Sequence, residues 1–156
     1  MSIVEKGQLA PGFSILNQQD ETVSLVDFLG QKNLVLYFYP KDDTPGCTIE
    51  AQDFTALAAE FAALDTVVLG VSKDDCASHR AFIEKYALSV QLLADTDGSL
   101  CDAYGVWQEV EKEGVKKWKI VRSTFIINKQ GELVEALYAV NHEGHAQAVL
   151  AILKAL

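Results

Sequence analysis

Residues 33–40 read Asn-Leu-Val-Leu-Tyr-Phe-Tyr-Pro, an unbroken apolar run that ends at a proline. Such a run is typical of a strand buried on both faces, as in the middle of a sheet covered by helices. Residues 40–47, Pro-Lys-Asp-Asp-Thr-Pro-Gly-Cys, follow as a loop rich in structure breakers. In the next segment, Thr48–Phe61, apolar side chains recur at steps of three and four, which predicts a helix with one buried face. We therefore expect Cys47 where a loop enters a helix.

The alternation of strands and helices continues on both sides of this segment. Turn residues upstream bound two short extended pieces, which predicts an N-terminal β-hairpin. The remaining predicted elements are hairpin strands Phe13–Leu16 and Thr22–Leu25, strands Thr66–Ser72 and Val90–Ala94, helices Ala77–Tyr86 and Ser99–Tyr104, an antiparallel pair Lys117–Ile127 and Glu132–Ala139 around a turn at Asn128–Gly131, and a closing helix His145–Leu156. These patterns indicate an α/β three-layer domain with a central mixed sheet, and we expect residues 1–156 to form one domain.

Composition narrows the classes of function. The 156 residues include 22 acidic and 13 basic side chains, a net charge of −9, which disfavours binding to nucleic acid or to an anionic membrane. We see no basic start followed by an apolar stretch and no apolar run long enough for a membrane span, so we expect a cytoplasmic protein. Thiols stay reduced in that compartment, and three cysteines, Cys47, Cys76 and Cys101, do not suggest a disulfide framework.

Several well-known motifs are missing from the sequence. It contains no G-x-x-x-x-G-K-[ST] phosphate loop and no G-x-G-x-x-G after a strand, so nucleotide binding has no motif support. It also lacks the G-x-S-x-G turn that carries an acyl-transfer serine. We expect neither a cofactor nor a metal ion, and the chemistry is expected at Cys47.

The surroundings of Cys47 favour a reactive thiol. A cysteine in the first turn of a helix faces unpaired backbone N–H groups and the positive end of the helix dipole, and both stabilise the thiolate. Thr44 can direct its hydroxyl into the same pocket as a hydrogen-bond donor. Pro40 and Pro45 stiffen the loop, and Gly46 lets backbone approach a small substrate. The alternative for an isolated cysteine is a small, inert, buried residue.

The loop fits the pattern P-x-x-x-T-x-x-C over residues 40–47, which resembles the active-site signature of peroxiredoxins. With the preceding strand it looks like the bacterioferritin comigratory protein, or peroxiredoxin Q, subfamily. The likeness extends through Gly70–Asp74, Leu93–Gly98, Tyr104–Trp107 and Arg122–Ile127. This resemblance implies a thioredoxin-like fold and an antioxidant enzyme, a thiol peroxidase that reduces hydrogen peroxide and organic hydroperoxides.

The same resemblance implies roles for individual residues. Cys47 is expected to be the peroxidatic cysteine, which attacks the peroxide as thiolate and becomes a sulfenic acid. Arg122 matches the active-site arginine of the family, and Thr44 and Pro40 match its other signature positions. A guanidinium beside the sulfur would stabilise the thiolate and bind the peroxide oxygens. Electrons are expected from thioredoxin or a glutaredoxin-type thiol reductant, and the protein is expected to be a monomer.

The sequence departs from the subfamily at the second, resolving cysteine. Many members carry it five residues after the first, where this chain has Gln52, and others carry it at the position of Ile83. Cys76 precedes Ile83 by two helical turns on one face, so it is a candidate for a displaced resolving cysteine. Cys101 occupies an apolar helical position that favours packing, yet it stays an alternative. With no internal resolving cysteine, an external thiol would reduce the sulfenic acid directly.

Three competing interpretations have weaker support. A thioredoxin-type disulfide exchanger needs C-x-x-C, and Thr44 occupies the first of those positions. A zinc site made of Cys76-x-x-His79 and His142-x-x-His145 has compatible spacings, but the two pairs are separate weak matches. An inactive thioredoxin-like protein would not need the full set of signature residues.

Overall fold

The predicted apolar strand lies at the centre of the molecule, which the computed structural model describes over residues 3–156. In chain order the elements are β1 (Ser14–Leu16), β2 (Thr22–Ser24), a turn of 3-10 helix (Leu25–Asp27), β3 (Asn33–Phe38), α1 (Pro45–Ala56), α2 (Ala58–Ala63), β4 (Thr66–Ser72), α3 (Cys76–Tyr86), β5 (Gln91–Ala94), α4 (Ser99–Ala103), β6 (Trp107–Lys112), β7 (Val115–Ile120), β8 (Ser123–Ile127), β9 (Leu133–Leu137) and α5 (His145–Lys154). None of the helices within residues 3–156 is long and apolar enough to cross a membrane.

Five strands form the central sheet, in the order β5-β4-β3-β8-β9. β3 pairs in parallel with β4 and antiparallel with β8. β4 continues in parallel to β5, and β8 pairs antiparallel with β9. Because β3 has a neighbour on each side and helices beyond, residues 34–38 are at most 1% exposed. The predicted α/β fold with a central mixed sheet is confirmed, and β1 and β2 form the predicted N-terminal hairpin.

The two faces of the sheet bury separate hydrophobic cores. Even-numbered side chains of β3 pack with the N-terminal hairpin and α4, and this core contains Cys101. Odd-numbered side chains of β3 pack with α1, α3 and α5, and this core contains Cys47. The division follows from the alternation of side chains along a strand. The central sheet therefore lies between the Cys47 and Cys101 thiols.

The predicted single helix Thr48–Phe61 is two helices in the structure. α1 begins earlier, at Pro45, and the chain leaves helical geometry at Leu57, with φ −99° and ψ 9°, before α2 starts. The N–H group of Leu57 donates to the carbonyls of Asp53 and Phe54, which closes α1. The sequence does not reveal this break because its apolar side chains continue at helical spacing through Phe61.

The predicted strand Lys117–Ile127 is also divided. Its first part lies in β7, which pairs with β6 in a separate antiparallel sheet, and its second part is β8. The turn between β6 and β7 places Glu113 and Gly114 in the left-handed region, with φ of 54° and 77°. Most side chains of β6 and β7 are exposed, so no apolar run marks this hairpin in the sequence.

Candidate active site

The end of β3 and the start of α1 hold Cys47. Tyr39 extends the strand by donating its N–H to the Val71 carbonyl at 3.0 Å, and the loop then turns into α1 at Pro45. Proline suits the first helical position because its missing N–H would have no partner there. Cys47 lies in the first turn of α1, as predicted, where N–H groups lack partners within the helix. Its side chain is buried, with 2% exposure.

Arg122, just before β8, connects Cys47 with a second side chain of α1. Its Nη2 donates to Cys47 Sγ at 3.3 Å, and its Nη1 donates to Glu50 Oε1 at 2.6 Å. Burial lowers the pKa of Arg122, but the Glu50 carboxylate and the Cys47 sulfur raise it by more, so the guanidinium stays charged. The structure thus brings the cysteine and the arginine together across 75 residues of sequence.

Glu50 is part of this site and was missed by the sequence analysis. It follows Cys47 by three residues, so both side chains lie on one face of α1. The Glu50 side chain has 0% exposure, and its Oε2 atom has no hydrogen-bond partner among the described residues. Burial raises the pKa of Glu50 to about 7, although the Arg122 charge acts in the opposite direction. An acidic residue on the buried face of a helix was the signal that could have revealed it.

We predict that Glu50→Gln changes the pH dependence of stability. Between pH 4.5 and about 7 the native protein keeps the Glu50 proton that the unfolded chain loses. The free energy of unfolding of the wild type should therefore fall by about 3 kcal/mol across this window relative to Glu50→Gln, and no further above it. Urea unfolding of both proteins at pH 4 to 8 measures the difference. Parallel profiles would show that Glu50 ionises normally in the native state.

Two other buried polar side chains, Tyr37 and His145, lie near the charges of Cys47 and Arg122. Tyr37 has a fully buried hydroxyl without a partner among the described residues, and burial, followed by the Glu50 and Cys47 charges, raises its pKa. His145 Nε2 lies 2.7 Å from Thr124 Oγ1, and burial and then the Arg122 charge lower its pKa to about 4, so the imidazole is neutral. Of Tyr37, His145 and Arg122, it is therefore Arg122 that offers the Cys47 sulfur a charged hydrogen-bond donor.

Gly46 allows a close approach beside Cys47. A Cβ atom at this position would lie 3.0 Å from His142 Nδ1 and 3.3 Å from Arg122 Nη2. Contacts this short are tighter than side chains ordinarily make, so a larger residue would displace the arginine or the histidine. The absence of a side chain at Gly46 therefore leaves room for His142 and Arg122 beside Cys47.

Thr44 and Pro40 lie in the loop before α1. Thr44 is the residue immediately preceding the helix, and its Oγ1 donates to the Lys41 carbonyl at 2.8 Å. Its hydroxyl proton is thus bound within the loop, whereas the sequence predicted a donor directed into the pocket of Cys47. Both residues are half-buried.

The other two cysteines lie apart from this site. Cys76 is the first residue of α3 and lines a cleft of about 440 Å³ against the N-terminal hairpin. Burial and the neighbouring Asp20 raise the pKa of the Cys76 thiol. Cys101 is 0% exposed in the opposite core, where burial and Asp95 raise its pKa further. All three cysteines are free thiols.

The alternative zinc site is not assembled. Both ring nitrogens of His79 are engaged, Nδ1 with Asp42 and Nε2 with the Leu93 carbonyl, and His145 contacts Thr124. Within residues 3–156, no three His, Cys, Asp or Glu side chains converge as metal ligands do. The side chains of His79 and His145 therefore make hydrogen bonds within the fold.

A cysteine in the first turn of a helix that accepts a hydrogen bond from a half-buried arginine, on an α/β fold, is typical of a thiol-dependent oxidoreductase. A model of the AhpC/TSA family matches residues 6–136. A putative peroxiredoxin Bcp of Helicobacter pylori (strain J99) is 48% identical over 150 residues, covering 96% of this chain and 98% of that protein. Peroxiredoxin Bcp of Bacillus subtilis (strain 168) is 43% identical over 151 residues, covering 97% and 96%.

Solved structures agree with these relatives. Peroxiredoxin Q of Xanthomonas campestris superposes with a TM-score of 0.87 at 40% identity, covering 92% of this chain and 90% of that one. A cysteine-to-serine mutant of Xylella fastidiosa PrxQ superposes with a TM-score of 0.93 at 36% identity, covering 99% and 98%. The chain belongs to the AhpC/TSA family, among the Bcp and PrxQ peroxiredoxins, with a thioredoxin-like fold. It is a thiol peroxidase, which the resemblance of its active-site loop implied.

Proposed function

We propose that Cys47 is the nucleophile of this thiol peroxidase and that hydrogen peroxide and organic hydroperoxides are its substrates. The observation that carries this assignment is the hydrogen bond from Arg122 to Cys47 Sγ at the start of α1. The helix terminus and the guanidinium both favour the thiolate. The bacterioferritin comigratory protein of Xanthomonas campestris has alkyl peroxide reduction activity, which supports the choice of substrates.

The proposed reaction is a displacement at oxygen. The Cys47 thiolate attacks the terminal peroxide oxygen, the S–O bond forms, and the O–O bond breaks. Sulfur is oxidised to the sulfenic acid, and the departing alkoxide takes up a proton and leaves as alcohol, or as water when the substrate is hydrogen peroxide. Arg122 remains charged and already donates to the sulfur, so it is placed to stabilise the charge that moves onto the oxygens.

Thr44 and Pro40 complete the proposed pocket. Because the Thr44 hydroxyl donates to the Lys41 carbonyl, its oxygen retains lone pairs that can accept a hydrogen bond from the peroxide O–H. This replaces the donor role that the sequence analysis expected. Pro40 shapes the pocket at the end of β3 and shields it from water.

We further propose that an external thiol, from thioredoxin or a glutaredoxin-type protein, reduces the sulfenic acid directly. Cys101 lies on the far side of the sheet from Cys47 and is fully buried. Burial and Asp20 raise the pKa of Cys76, which keeps it a thiol, whereas attack on a sulfenic acid needs a thiolate. The proposal includes a single domain over residues 1–156, a monomer, and a cytoplasmic location, where thiol reductants keep Cys47 reduced.

Intact mass spectrometry after one equivalent of hydroperoxide tests these assignments. We expect a gain of one oxygen that dimedone traps, and peptide mapping should locate the dimedone adduct on Cys47. An adduct on another cysteine would contradict the nucleophile. A loss of two hydrogens that disappears in Cys76→Ser would overturn the direct route and assign Cys76 as resolving cysteine, with Cys101→Ser as the matched control.

A further inference from the structure

A buried hydrogen bond between Asp42 and His79 ties the loop before Cys47 to α3. His79 Nδ1 lies 2.8 Å from Asp42 Oδ2, and the two side chains are 0% and 4% exposed. His79 Nε2 lies 2.9 Å from the Leu93 carbonyl of β5. Both ring nitrogens therefore have partners, and the imidazole connects the loop with β5.

Each oxygen of Asp42 has further donors. Tyr39 donates to Oδ1 at 2.5 Å, and Ser78 donates to Oδ2 at 2.8 Å. The Asp42 N–H donates to Asp74 Oδ2 at 2.8 Å. These partners come from the end of β3, the segment after β4 and the first turns of α3. Asp42 thus fixes one point of the loop against three elements, although it does not itself contact Cys47.

We propose that Asp42 and His79 are positioning residues for the peroxide reaction, because their buried hydrogen bond sets the path by which the loop enters α1. This inference rests on the proposed role of Cys47. Residues 39–44 connect β3 to α1, and Asp42 is the buried acidic residue among them. Removing either partner leaves a buried polar atom of the other without its hydrogen-bond partner, and the loop must move to bring water to that atom. The first turn of α1, with Cys47, follows that movement.

The expected result is a loss of peroxide reactivity in folded variants. Asp42→Asn and His79→Gln should lower the second-order rate constant for peroxide about 10-fold, since small displacements at a reacting centre are costly. Ser78→Ala keeps the contact between Asp42 and His79 and removes one donor to Asp42, so a loss of about 3-fold is expected. The KM for the thiol reductant should stay unchanged, and the pH profile of the peroxide rate constant should move to higher pH.

Asp43→Asn is the matched control, because it makes the same chemical change one residue later. Asp43 is exposed, pairs with Lys85 and Tyr86 at the surface, and has a φ of 57°, a left-handed conformation that asparagine also adopts. We expect its rate constant to stay within about 2-fold of wild type, since surface ion pairs contribute little.

Stopped-flow measurement of peroxide oxidation, well below the melting temperature of each variant, decides the question. Wild-type rate constants in folded Asp42→Asn and His79→Gln would overturn the inference, as would an equal loss in Asp43→Asn. If both Asp42→Asn and His79→Gln fail to fold, Ser78→Ala decides: a wild-type rate constant in it would overturn the inference. Activity retained by Cys47→Ser would instead overturn the proposed function, so the two failures are distinguishable.

Discussion

Replacing Cys47 with serine is expected to abolish the peroxidase activity while leaving the fold intact. A serine hydroxyl is not ionised at neutral pH, and neither Arg122 nor the helix terminus can make it a comparable nucleophile toward an O–O bond. We expect a fall on the order of 10⁶-fold in the second-order rate constant, as is found when an enzyme loses its nucleophile. Peroxide consumption in the presence of a thiol reductant measures it.

Cys101→Ser is the control, because it removes an equally buried thiol that lies away from the proposed active site. Cys101 is as deeply buried as Cys47, with 0% against 2% exposure, but it lies in the opposite core. Its replacement should lower thermal stability and leave the peroxide rate constant near wild type at temperatures where the variant is folded. Undiminished turnover in Cys47→Ser would contradict the assignment of the nucleophile.

The second large effect is expected for Arg122→Met, which preserves the length of the side chain and removes its charge. The variant loses the donor to Cys47 Sγ and the charge that would stabilise the transition state. Loss of one such preorganised donor costs about 10²- to 10³-fold in rate. Glu50 loses its partner at the same time, but without the Arg122 charge burial raises the pKa of this carboxyl further, so it keeps its proton. The peroxide rate constant, measured with folded protein, provides the test.

Two further arginine variants separate charge from geometry. Arg122→Lys keeps a positive charge but cannot bind Glu50 and Cys47 at once through a planar fork, so we expect an intermediate rate constant. Arg80→Met removes an exposed arginine, whose side chain is 49% exposed, and should behave as wild type. Equal rate constants in Arg122→Met and Arg80→Met would exclude a role of Arg122 in the reaction.

The sequence predicts the central layer of the fold well and its surface elements less well. β3 and its neighbours are recognisable because a strand buried on both faces must be apolar throughout. The hairpin of β6 and β7 buries little, so its strands resemble solvated loops in the sequence. The end of α1 at Leu57 depends on how the helix packs, which a periodic apolar pattern does not record.

Some residues of the site can be recognised from a short stretch of sequence, and others only from the tertiary structure. Cys47, Thr44 and Pro40 lie in one short loop with a recognisable motif, and Arg122 was found through family resemblance. Glu50 was missed because a glutamate on a helix is expected to face solvent until its burial is known. The contact of Asp42 with His79 spans 37 residues, and tertiary structure alone reveals it.

The break at Leu57 sets the size of the smallest part of the protein that can open around Cys47. α1 has its own closing hydrogen bonds at Leu57, and α2 packs separately against β4. Local unfolding proceeds through cooperative units that often coincide with such elements. A single helix of 12 residues can therefore melt and re-form while α2 and the sheet remain folded. The exposure of an oxidised Cys47 to a bulky reducing protein then requires the opening of one hinged segment, which takes Ala51 and Phe54 out of the core on that face of the sheet and leaves the opposite core closed.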